Sequence, residues 1–249
     1  MIEISSLNKT FNQGRLNEVK SLQNINLKIN RGDFIVVIGA NGSGKSTLLN
    51  SIAGSVSVSS GSIKIDGADV TKYPEFKRSK WIARVFQNPL SGTAPDVSIL
   101  ENFRLASLRT QSKNLVLGIN TAFRRLVMEK VSTLEMGLEN KLDQPIGTLS
   151  GGQRQALTLL MCTMDDLKIL LLDEPTAALD PRSAELVMKT ADKIIAEYKL
   201  TALMVTHNIK DAFTYGNRII QMNEGKVLRD VEGQQKNDLK MADIYEWFG

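Results

Sequence analysis

The 249-residue chain contains one cysteine and one histidine. A lone thiol, Cys162, closes no intramolecular disulfide and fits a reducing compartment. It falls in the apolar run Leu159-Leu160-Met161-Cys162, so an inert core position is expected. No apolar run approaches the ~20 residues that cross a bilayer. Met1-Ile2-Glu3-Ile4 lacks the basic start and long apolar stretch of a signal peptide. If the protein works at a membrane, another component is expected to hold it there. Charge of either sign is also scarce in excess: 31 basic and 27 acidic side chains give +4. Without a basic stripe, nucleic acid is not an expected partner. The clusters Lys77, Arg78, Lys80 and Arg124, Arg125 read as solvated faces, with docking on an anionic partner or membrane as the second reading. There is no internal repeat and no low-complexity tract.

Against this background stands Gly39-Ala40-Asn41-Gly42-Ser43-Gly44-Lys45-Ser46-Thr47, a full match to the phosphate-binding pattern G-x-x-x-x-G-K-[ST]. Residues 34–38 before it read as a buried strand. Leu48, Leu49 and Ile52 after it mark one face of a helix that Gly54 can end. Glycines let successive backbone N–H groups turn inward on an anion, and the helix start at Lys45-Ser46 adds donors and a positive dipole end. Lys45 is expected to face the β- and γ-phosphates, and the Ser46 hydroxyl to bind Mg²⁺. A plain glycine-rich turn is outweighed by the complete match in its required context. The pattern implies a nucleoside triphosphate site.

The other candidates follow in chain order. Strands are expected at 2–6, 22–29, 34–38, 62–65 and 82–86, and helices at 98–107 and 120–136. Phe11 lies in a polar, loop-like stretch and fits either stacking on a nucleotide base or loop packing. Gln87 follows a strand and precedes Asn88-Pro89. Leu149-Ser150-Gly151-Gly152-Gln153 opens a helix whose buried stripe is Leu157, Leu160, Met161 and Met164. Ser150 and Gln153 form a capping box. Two glycines in a first turn cost helix propensity, which points to close approach by another molecule and a second anion-holding helix start. The strand at 168–172 ends in Asp173 and Glu174. Asp173 is expected to hold Mg²⁺. Glu174, on the other face of the strand line, is placed to take a proton from attacking water. Solvated loop charges are the alternative. Asp180-Pro181 reads as an N-cap with proline behind it. His207 ends a strand at 202–206, where a γ-phosphate is expected, against an incidental structural role. A hairpin at 218–230 and a short closing helix complete the chain.

Together these residues resemble the nucleotide-binding subunit of ATP-binding cassette (ABC) proteins over nearly the whole chain. Gly39–Thr47 is similar to the Walker A loop, Gln87 to the Q-loop, and Leu149–Gln153 to the signature sequence. Asp173 corresponds to the end of Walker B, with Glu174 as catalytic glutamate, Asp180 in the D-loop and His207 as the switch histidine. Phe11 takes the A-loop position, where the family often has tyrosine. The resemblance implies an α/β P-loop NTPase fold with an N-terminal antiparallel β subdomain. It implies one domain over 1–249, with a core of 1–87 and 160–249 and a helical insertion at 88–159 carrying the signature. It also implies ATP and Mg²⁺ as cofactors, with Gln87 joining Ser46 and Asp173 at the metal. Two copies would form a head-to-tail dimer in which Ser150-Gly151-Gly152-Gln153 and Asp180 of one cover the ATP on the Lys45 loop of the other.

More finely, Gly67-Ala68-Asp69-Val70-Thr71, Met204-Val205-Thr206-His207-Asn208 and Lys9-Thr10-Phe11-Asn12 are similar to ATPase subunits of bacterial tryptophan and tyrosine importers. That likeness implies a place on the cytoplasmic face of the membrane, a permease docked near 87–99, and an extracellular binding protein delivering solute. An exporter ATPase and a soluble scaffold ATPase of the iron–sulfur assembly type are the alternatives. The large insertions of DNA-repair members are absent from the sequence, and its length does not suit two fused cassettes.

Overall fold

The computed structural model describes residues 1–109 and 118–247; residues 110–117 of the expected insertion lie outside them. Its strands are β1 (Ile2–Phe11), β2 (Val19–Ile29), β3 (Phe34–Ile38), β4 (Ser60–Ile65), β5 (Ala68–Asp69), β6 (Ile82–Val85), β7 (Ile169–Asp173), β8 (Thr201–Val205), β9 (Arg218–Asn223) and β10 (Lys226–Glu232). Its α-helices are α1 (Lys45–Ala53), α2 (Glu75–Arg78), α3 (Ile99–Ser107), α4 (Thr121–Ser132), α5 (Gly151–Cys162), α6 (Pro181–Glu197), α7 (Ile209–Thr214), α8 (Gln234–Asp238) and α9 (Met241–Glu246). Two compact units are present, one of Met1–Arg78 with Leu200–Gly249, the other of Ser79–Lys199.

In the first unit, β1, β2, β4 and β5 form an antiparallel sheet in the order β2-β1-β4-β5. Ile2, Ile4 and Leu7 of β1 are buried while Glu3 and Ser5 are exposed, the alternation of a strand with one wet face. β3 lies between β8 and β9 and runs parallel to both. All five of its residues are buried, as a strand covered on both faces requires. β1 reaches further than the sequence suggests. Phe11 pairs with Val19 across a hairpin, so it ends a strand instead of lying in a loop; cross-strand hydrogen bonds carry a stretch whose polar side chains hide it.

Arg78 corrects a second expectation. Lys77 and Lys80 are exposed, but Arg78 is buried. Its guanidinium donates to the carbonyls of Tyr73, Thr71, Ser51 and Ile52 at 2.7–3.0 Å. The last two belong to the final turn of α1, so the cation sits on the negative end of that helix. Gly54, at φ +86, ends α1 as expected; a Cβ there would stand 2.7 Å from Arg78 Nε.

In the second unit β6 and β7 pair in parallel, Val85 opposite Leu172, and α5 and α6 pack together. α3 begins at a Ser98–Glu101 capping box. α4 stops at Ser132, short of the expected 136, and Glu135 and Gly137 beyond it take positive φ. Arg124 pairs with Asp143 and Arg125 with Glu129 at the surface, as solvated faces do. Cys162 is buried, which pushes its thiol up to about 11. Among the described residues no helix is long and apolar enough to cross a membrane.

Candidate functional site

The glycine loop leaves the carboxyl end of β3 and enters α1. Gly42 and Gly44 take φ +80 and +99, left-handed values that favour glycine. A Cβ on Gly44 would strike the Ser21 carbonyl, and one on Gly39 the Met222 carbonyl. No side chain caps α1, whose N-cap is Gly44. Ser43 Oγ is buried without a hydrogen-bond partner. Lys45 folds back over the loop, its Nζ donating to the carbonyls of Gly39 at 2.8 Å and Ala40 at 3.0 Å. Asn41 and Ser46 are exposed, whereas Thr47 Oγ1 accepts from Ser21 Oγ at 2.8 Å. An uncapped helix start, a loop that excludes Cβ atoms and a buried ammonium fit a phosphate chain.

Two neighbours of the loop follow from strand register. Val37 pairs with Val205, so Gly39 and His207 stand two residues past matched positions at the same sheet end. His207 is exposed there. On the other side, the β9–β10 turn braces the loop: Gly225 N donates to Ser43 O at 3.0 Å, and Gln23 N to Gly225 O at 2.8 Å. Sequence reasoning missed that brace, since nothing local marks Gly225 beyond a hairpin turn. Phe11 is 36% exposed, with Lys9 Nζ 4.7 Å from its ring centre, leaving an aromatic face in the same unit.

The second unit gathers the other candidates. Gln87 lies exposed beyond β6, and Asp173 and Glu174 stand at the matching end of β7. Asp173 Oδ2 accepts from Arg84 at 2.9 Å, and the Arg84 guanidinium lies over the Phe86 ring. A cation on β6 therefore already balances this carboxylate, a partner the sequence did not suggest. Glu174 is left-handed at φ +46, so strand alternation ends at Asp173 and does not govern where Glu174 points. Asp180 caps α6, accepting from the N–H groups of Arg182 and Ser183 at 3.1 Å each. Hydrogen bonding from Ser183 holds its carboxyl below the usual range.

Ser150 and Gln153 form the expected capping box at α5. The glycines between them have reasons inside the chain as well. A Cβ on Gly152 would lie 2.7 Å from Ser183 Cβ, and one on Gly151 3.0 Å from Leu179 Cδ2. Close helix packing thus accounts for Gly152 without any visiting molecule.

The ABC transporter family model matches residues 22–177, spanning the loop, Gln87, the α5 start and both carboxylates. The chain belongs to the ABC transporter family. It is an ATP-binding subunit of that family and an ATPase. The tyrosine transport ATP-binding protein of Clostridioides difficile is 40% identical to this ABC subunit over 100% of the chain and 98% of its own length. The phosphonates import ATP-binding protein of Lactococcus lactis is 30% identical over 98% of each. A dimeric ATP-binding cassette in a post-hydrolysis state, bound to ADP and Pi, superposes with a TM-score of 0.79 at 29% identity, covering 93% of this chain and 98% of that one. The fold is the α/β ABC ATPase cassette. Among the described residues no three His, Cys, Asp or Glu side chains cluster to hold a metal. The Ser46 hydroxyl, exposed at the start of α1, is a hard oxygen donor of the kind that Mg²⁺ takes beside phosphate oxygens.

Proposed function

We propose that this ATPase powers uptake of a small solute, an aromatic amino acid such as tyrosine or tryptophan, through a separate membrane permease. The end-to-end match with a tyrosine transport ATP-binding protein carries the solute class. The phosphonate import relative supports the direction. Lys45 and the N–H groups of Gly39, Asn41, Gly42, Ser43, Gly44, Ser46 and Thr47 hold the triphosphate, and Phe11 stacks on the base. Ser46, Gln87 and Asp173 are the residues that would hold Mg²⁺, which would supply neutralisation of phosphate charge. Glu174 accepts the proton of the attacking water, and His207 donates to the γ-phosphate.

A second copy, head to tail, lays Ser150, Gly151, Gly152 and Gln153 over that nucleotide, with Asp180 alongside. Loss of the terminal phosphate removes the bridge and the copies part. The motion reaches the permease through 87–99 at the cytoplasmic face of the membrane, and an extracellular binding protein supplies the solute on the opposite side. Residues 1–87 and 160–249 act as the nucleotide-holding core, and 88–159 as the insertion that presents the signature.

Glu174→Gln tests the engine. It should bind ATP, turn over slowly and elute as a dimer with ATP and Mg²⁺; normal hydrolysis by a monomer defeats the assignment. Membranes tested with labelled tyrosine decide the rest. ATP-dependent uptake that requires this chain supports import, while efflux, or recovery of the chain with cytosolic partners only, refutes it.

A further inference from the structure

One side chain outside the assigned residues draws three segments together. Gln155, just past Gly151-Gly152 on α5, is fully buried. Its Nε2 donates to the Phe86 carbonyl at 2.9 Å and the Pro175 carbonyl at 3.0 Å, and its Oε1 has no hydrogen-bond partner. Phe86 immediately precedes Gln87, and Pro175 immediately follows Glu174. The ladder between β6 and β7 is last in register at Val85 and Leu172, so at these two carbonyls the sheet no longer sets the spacing. The two N–H bonds of a planar amide diverge at a fixed angle, and two carbonyls bound to them are held at one separation. Packing alone does not call for an amide here. Methionine is of similar length and fills the space without stranding a buried oxygen. The amide also satisfies two carbonyls that methionine would leave without this donor, and in doing so it couples two segments to α5 at the cost of one stranded oxygen.

On the roles proposed above for Gln87 and Glu174, we infer that Gln155 is a positioning residue for hydrolysis. It ties the backbone beside both residues to the helix whose start is Ser150-Gly151-Gly152. The tie matters most at Glu174, whose left-handed backbone is followed by a proline with no N–H to anchor the chain. A shift of the helix start is thereby passed to Gln87 and Glu174 together.

The test replaces Gln155 by Met, which keeps length and removes both donors, and by Glu, which keeps shape and exchanges the N–H pair for an oxygen. Nucleotide affinity and steady-state hydrolysis are measured on the full chain, well below its melting transition. Gln155→Met should leave ATP affinity and KM within about twofold of wild type and lower kcat by about ten- to a hundredfold, the scale of an ångström-sized misplacement. An unchanged kcat, whatever happens to Tm, overturns the inference, as does a loss confined to KM. Should the Met variant fail to fold, the Glu variant is read in the same way. Failure of both to fold also overturns the inference, because the bridge would then be holding the unit together. Glu174→Gln run in parallel separates the two levels. Normal turnover there defeats the role given to Glu174, whereas its loss beside a normal Gln155→Met defeats only the role of Gln155.

Discussion

Replacing Glu174 by alanine and by glycine should give two inactive proteins of different stability, with glycine the more stable. Glu174 sits at φ +46 at the end of β7. An L side chain there crowds its own carbonyl, at a cost of about 1–2 kcal/mol that glycine avoids. Pro175 behind it favours extended backbone at 174 and does nothing to relieve the crowding. Both substitutions remove the carboxylate and every contact it makes, so those losses cancel in the comparison. Glycine gives back about 0.4–1 kcal/mol through the greater freedom of its unfolded chain. The net advantage is about 1 kcal/mol, or a Tm difference of about 2–4 °C for a domain of this size. Scanning calorimetry on the two variants, free of nucleotide, reads it directly. An alanine variant as stable as the glycine one would show that position 174 stores no backbone strain, and would remove the picture of a strained carboxylate kept for hydrolysis.

Lys45→Ala should abolish tight nucleotide binding, by at least about a hundredfold, because the ammonium on the loop is lost; equilibrium binding of a fluorescent ATP analogue checks this, and unchanged affinity counts against the loop. Arg78→Met should destabilise by about 3–5 kcal/mol, since carbonyls in the last turn of α1 lose a buried cation; a urea midpoint equal to wild type would contradict that. Burial raises the Asp211 carboxyl above its ordinary range. The folded state therefore holds this proton more tightly than the unfolded one, and the contribution present at low pH is lost as pH rises through the folded value. Asp211→Asn should accordingly raise Tm at pH 7, with the gain closing as pH falls toward 4; a gain independent of pH would rule out charge burial as its cause.

The features readable in the sequence are those whose chemistry is contiguous. The Gly39–Thr47 loop, the Ser150–Gln153 cap and the Asp180-Pro181 helix start each declare themselves within a few residues, and each stands where expected. What escaped reading depends on partners far along the chain. Arg78 looks like one member of a basic cluster, yet carbonyls in α1 make burial tolerable. Gln155 is a single polar residue beside an apolar stripe, and its purpose appears only when Phe86 and Pro175 are brought to it. Phe11 lies among polar neighbours that mark a loop, but pairing with Val19 turns them into a strand. Asp173 reads as a metal ligand from its place after a strand, and only the alignment of β6 with β7 reveals Arg84 beside it.

The two glycines of α5 show why a sequence motif alone does not prove contact with a second copy. Gly152 faces Ser183 of α6, and a methyl there would lie 2.7 Å from Ser183 Cβ and 2.8 Å from its Oγ. So short a side chain has no flexible tip to yield, and Gly152→Ala must move a helix at a cost of about 1–3 kcal/mol. Any lost activity in that variant is confounded by its own packing. Gly151 is different. Its methyl would meet only Leu179 Cδ2 at 3.0 Å and Pro89 Cγ at 4.0 Å, and a leucine methyl can rotate away. Alanine also recovers up to about 1 kcal/mol of helix propensity, so Gly151→Ala should melt within a few degrees of wild type. Mixed dimers can then isolate closure across the interface, with Lys45→Ala in one copy leaving a single working loop. Hydrolysis should fall at least about tenfold when Gly151→Ala is placed on the Lys45→Ala copy, because that copy covers the working nucleotide. It should survive when Gly151→Ala is placed on the copy that holds the nucleotide. Equal rates in the two arrangements would mean that neither α5 start acts on its neighbour's nucleotide.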